Sequence, residues 1–165
     1  MSTTIPLNYR DNGAIGALLD EYEKAINELI VVIKNISNVQ LSIIVDHQTK
    51  DEDCRSIQTI LTHVVRAGYA YATYARNHQG ENLSFQKPNH LDSSNKYVIA
   101  LKEMFRFTEA LFEDYPNITL EETDNSSKML VSWGQFYDVE QLMEHAIVHI
   151  LRHRRQIERF VTKSN

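Results

Sequence analysis

His149 and His153 stand four residues apart in the run His149-Ile150-Leu151-Arg152-His153-Arg154-Arg155-Gln156. On an α-helix, residues i and i+4 lie almost above one another, about 6 Å apart along the axis, so both imidazoles can turn toward one metal ion. Such a pair needs a third ligand from another segment. His63 offers one, on a separate apolar stretch whose face is completed by Ile60, Ala67, Ala70 and Tyr74. Two alanines beside a histidine leave room for an ion and a small molecule. His145 extends the series by one further turn.

Counting about 100° per residue from Leu142, His149 and His153 fall within roughly 20° of its direction, as does Phe160, so both histidines occupy the centre of the buried stripe. His145 and Gln156 fall about 60° and 40° to one side. They are expected at the edge of the stripe, backing the ligands. A lone histidine on an apolar face is more often a core residue with a hydrogen-bond partner than a ligand. Three that converge are different, because six buried ring nitrogens each cost about 1 to 3 kcal/mol if unpaired, and an ion takes up three at once. No cysteine or buried acid completes a fourfold set, which leaves an open position of the catalytic type. There zinc lowers the pKa of water to about 7, or holds a thiolate or carbonyl. Peptidase chemistry of the zincin kind is disfavoured, since Ile150 occupies the place of that motif's glutamate.

The elements that must position these groups are helical. Apolar residues recur at helical spacing, and there are only five glycines and three prolines among 165 residues. With 42% hydrophobic content, the length suits a single domain over 1–165. A first helix is expected over about residues 12–37, on the stripe Ile15, Leu18, Leu19, Tyr22, Ile26, Leu29, Ile30 and Ile33. Residues 38–53 read as a connection, with Asp53 as N-cap of a second helix over 54–79 that Gly80 stops. A loop containing Pro88 leads to a third helix, capped by Asp92 or Ser93 and ending near Tyr115-Pro116. A long loop to Tyr137 then precedes the capping box Asp138/Gln141, which opens a last helix running to about Val161. Four helices of this length make an all-α four-helix bundle, whose up-and-down order spacing leaves open.

Charge and cysteine usage narrow the function further. A net charge of −5 argues against a nucleic-acid-coating protein. A lone cysteine, Cys54, and an N-terminus without a basic-then-apolar layout suggest the reducing cytoplasm. No apolar stretch approaches the roughly 20 residues that span a membrane. Arg152, Arg154, Arg155, Arg159 and Lys163 suit a helix C-terminus electrostatically, while Arg152 and Arg154 also flank the histidine stripe, where either could hold a substrate carboxylate. Of Tyr69, Tyr71 and Tyr74, only Tyr74 is expected on the His63 side. Cys54, at an expected helix N-terminus that favours its thiolate, has no paired base and reads as a bystander. His47, His78 and His90 are expected in solvent. Ile147, Val148 and Leu151 lie on the far side of the last helix from His149. Either they form a homodimer interface or the buried stripe is wide.

The signature His149-x-x-x-His153-Arg154-x-Gln156, with the segment Ile60-Leu61-Thr62-His63-Val64-Val65, resembles the DinB family of metalloproteins over nearly the whole chain. The resemblance implies up-down-down-up order in the bundle, with His63, His149 and His153 as facial ligands of a divalent ion, often zinc or nickel. It also implies an open site at one mouth of the bundle, and relatives that include thiol-dependent transferases and isomerases using low-molecular-weight thiols. The expected function is therefore a metal-dependent small-molecule enzyme, a transferase or hydrolase. The alternative is a non-catalytic metal-binding or interaction bundle.

Overall fold

The computed structural model describes residues 8–163. Five helices dominate it: α1 (Gly13–Ile33), α2 (Asn38–Ser42), α3 (Ile57–His78), α4 (Ser94–Asp114) and α5 (Val139–Lys163). The four long ones pack in a ring, α1 against α4 and α5, and α3 against α4 and α5. Their apolar stripes meet in one core that includes Tyr22, Leu29, Ile60, Leu101, Leu142 and Ile157, all fully or almost fully buried. No described helix is long and apolar enough to cross a membrane.

Several boundaries differ from expectation, each for a local reason. The first helix ends at Ile33 because Ser37 starts a new one, its hydroxyl accepting from the Gln40 amide while the Gln40 side chain accepts from the Ser37 amide. The cap of α3 is Ser56, not Asp53. Ser56 and Thr59 form a reciprocal capping box that sets the helix start at Ile57. Asp53 sits instead in a 3-10 turn, Glu52–Cys54, opened by the Asp51 carboxylate and packed on α3. Gly80, at φ +98°, ends α3 as expected. Ser93 rather than Asp92 caps α4. The Asp138/Gln141 box opens α5.

The long loop before α5 is not wholly irregular. It contains a 3-10 turn (Asn125–Ser127) and a small antiparallel hairpin, β1 (Met129–Leu130) with β2 (Phe136–Tyr137), pairing Met129 with Tyr137 and Leu130 with Phe136. Gly134, at φ +86°, makes the turn. The hairpin lies across the ends of α3 and α5, and Tyr74 of α3 accepts a hydrogen bond from the Ser132 amide at its tip (2.9 Å). Ile147 and Leu151 pack against the core at partial burial, while Val148 is exposed. The wide-stripe reading thus accounts for two of the three residues.

Candidate metal centre

α3 and α5 cross so that His63 meets His149 and His153. The Nε2 atoms of His63 and His149 are 2.9 Å apart, and the His149 and His153 ring centres are 4.4 Å apart. Among the described residues, these three form a cluster whose ligand atoms all lie within 4.8 Å of one another. Two nitrogens bound to one ion at about 2.1 Å stand roughly 3.0 to 3.4 Å apart for bond angles of 90° to 109°, so the observed pair lies near the short end of that range. His153 is 4% exposed, which leaves water little access to replace a missing partner.

The outer ring nitrogens decide which atoms are available. His153 Nδ1 is 3.0 Å from Gln156 Oε1. An amide oxygen only accepts, so Nδ1 carries the proton and Nε2 keeps its lone pair. Asp53 Oδ2 lies 3.1 Å from His63 Nδ1, too far out of line to count as a hydrogen bond, and also accepts from Arg66 (3.0 Å). A carboxylate there favours the same tautomer. Without an ion, His149 Nε2–H can then donate to His63 Nε2; with one, that proton must leave the shared space.

Burial keeps the cluster neutral. It pushes the His149 pKa down to about 2, helped by repulsion from His153 and His63, and that of His153 down to about 4, helped by His63. His63 is lowered by burial as well, against an opposing pull from Asp53. Neutral imidazole is the form that binds metals.

His145 does not join the three. Its Nδ1 is 3.3 Å from the Tyr137 hydroxyl, and its ring stacks on Trp133 with centres 5.5 Å apart. Gln156 backs His153 as expected, and His47, His78 and His90 are exposed. Arg154 pairs with Glu28 on α1 and with Glu158. Cys54 is half-buried, its thiol 3.8 Å from Gln156 Oε1, and burial raises its pKa, which reverses the expected thiolate preference. It borders a separate cavity of about 410 Å³ with Arg152, Arg155 and Arg159.

A cavity of about 680 Å³ opens on His63, His145 and His149, while His153 lies behind its lining. Ala67 and Ala70 line it as expected, and so does Tyr74. Tyr71 also does, its ring centre 5.8 Å from that of His149, so confining the tyrosine side to Tyr74 was too narrow. Tyr69 faces away, onto Phe107. The sequence reading missed Asp53, Trp133 and Phe85. The signal for Trp133 was its place beside Gly134 in a loop too rich in apolar residues to be plain connection; Asp53 and Phe85 carried none. Comparison of the chain with models of known families and with curated proteins finds no match.

Proposed function

We propose that the chain is a DinB-like, divalent-metal-binding protein, a four-helix bundle in up-down-down-up order whose His63, His149 and His153 hold zinc or nickel for chemistry on a small molecule. The reaction class is a thiol-dependent transfer or a hydrolysis, with a low-molecular-weight thiol as co-substrate in the first case and the cytoplasm as its setting. The observation that carries the reading is the convergence of three neutral imidazoles from two helices beside a cavity. Imidazole donors suit both metals.

A bound ion would act as a Lewis acid, activating a thiol or water at neutral pH. The chain's own groups do the rest. Gln156 holds the proton on His153 Nδ1, and Asp53 biases His63 in the same sense. The buried Tyr71 and the half-exposed Trp133 wall the cavity beside His149, edge-on to each other.

Elemental analysis of protein purified without an affinity metal column tests the reading. About one divalent ion per chain is expected in the wild type and none in the His149→Ala/His153→Ala variant. Absence from both, even after incubation with zinc or nickel, would overturn it. Removal of the ion by chelation is expected to leave the helical circular dichroism intact, because the apolar core shared by the four long helices extends well beyond the histidines. Unfolding on chelation would favour a purely structural ion instead.

A further inference from the structure

The cavity beside the histidines is lined by two chemically distinct groups. One is His63, His149 and the Arg66 guanidinium; the other is aromatic rings carried by two separate loops, joined to the first by His145, which stacks on Trp133. Trp133 and Phe85 are 44% and 47% exposed, although large apolar rings gain most from full burial. They are not scattered on the surface: both line this one concave space. Tyr71 and Tyr74 stand edge-on to the Trp133 indole, at 84° and 87° with centres 6.2 and 6.3 Å away, and Phe85 lies 4.7 Å from Tyr74. Between them Ala67 and Ala70 present only methyl groups, so the floor along α3 is low. A volume of about 680 Å³ falls within the range of pockets for small organic ligands, roughly 300 to 1,000 Å³.

We propose that this cavity selects a small planar aromatic molecule with an anionic head, a carboxylate or thiolate, the ring lying between Trp133 and Phe85 and the head reaching toward His63, His149 and Arg66. The head-group half rests on the metal-site reading above, whereas the ring half stands on the loop aromatics alone. A flat ring meets the face or edge of each wall residue at favourable geometry, while a puckered ring of the same carbon count does not. Arg66 already pairs with Asp53 through Nη2 (3.0 Å), so an anion would meet the remaining donors of that guanidinium and, in the loaded protein, the ion.

Calorimetric titration with 2-naphthoate, its saturated analogue decahydro-2-naphthoate and uncharged naphthalene-2-methanol separates the two halves. Zinc content is measured on the same samples. The expected result is that 2-naphthoate binds about five- to tenfold more tightly than the saturated acid, in zinc-loaded and zinc-free protein alike. Trp133→Ala and, independently, Phe85→Leu should remove most of that preference with circular dichroism unchanged. Equal affinity for the flat and saturated acids, or a preference that survives both substitutions, would overturn the aromatic assignment. The alcohol binding as tightly as the acid to zinc-loaded protein would overturn the anionic head. A protein that takes up no zinc yet keeps its preference for naphthoate supports the aromatic pocket while sinking the metal reading, so the two failures are distinct.

Discussion

Gln156 touches two groups of different chemistry, the His153 imidazole at 3.0 Å and the Cys54 thiol at 3.8 Å. Its consequence for the first can be tested directly. Gln156→Leu should weaken zinc binding by about 10- to 100-fold in a competitive chelator titration, and Gln156→Glu, which keeps an acceptor, should recover most of it. Unchanged affinity in the leucine variant would reduce Gln156 to packing. The depressed histidines make a second prediction, for metal-free protein. The unfolded chain takes up protons near pH 6.5, before His153 at about 4 and His149 at about 2, so folded stability is level above about pH 6.5 and falls as the pH drops below it. Between pH 7 and 5 the loss should be on the order of 4 kcal/mol, about 2 for each ring, greater than in a His149→Leu/His153→Leu variant, read from urea midpoints. Equal losses would mean that these rings are free to protonate in the fold.

At the scale of elements, α3 and α4 approach closely at Gly68. A Cβ built on Gly68 would lie 1.9 Å from the sulfur of fully buried Met104. Gly68→Ala should therefore destabilise the protein by about 1 to 3 kcal/mol from overpacking, more than the roughly 1 kcal/mol that alanine gains in a helix. A rise in the denaturation midpoint would show that Met104 swings aside without cost. The helices themselves were legible because their stripes repeat at 3.6 residues over six or so turns, and the same repeat placed His149 and His153 inward. Helix ends were less so. Asp53 and Ser56 are both good caps by residue type, and the choice fell to Ser56 because Thr59 returns its hydrogen bond while Asp53 is drawn to Arg66. The β1–β2 hairpin has two residues in each strand, too few for any period to register. Phe85 reaches the cavity only through a loop path that no local pattern encodes, and the apolar loop around Trp133 does not reveal where its indole comes to rest.

In the molecule as a whole, ion pairs tie distant segments together. Arg10 bridges Asp20 and Glu23 of α1 to Glu109 of α4, and Arg76, nearly buried, bridges Glu81 and Asp114 while lying over Phe107. The proposal of a homodimer through α5 now has Val148 as its exposed apolar residue among the three that suggested it. Light scattering at twice 19.1 kDa would support the dimer, and a dilution-independent 19.1 kDa would refute it. The histidine pair joining α3 to α5 is separated by 86 positions along the chain. At a synthesis rate of roughly 5 to 20 residues per second, His63 is added to the chain some 4 to 17 s before His149. Throughout that interval the nascent chain presents one imidazole of the three, a weak solitary donor, and the centre comes into being only when the last helix docks. On the function proposed above, loading with an ion would thus be an event of the finished protein, governed by the metals free in its surroundings at that moment.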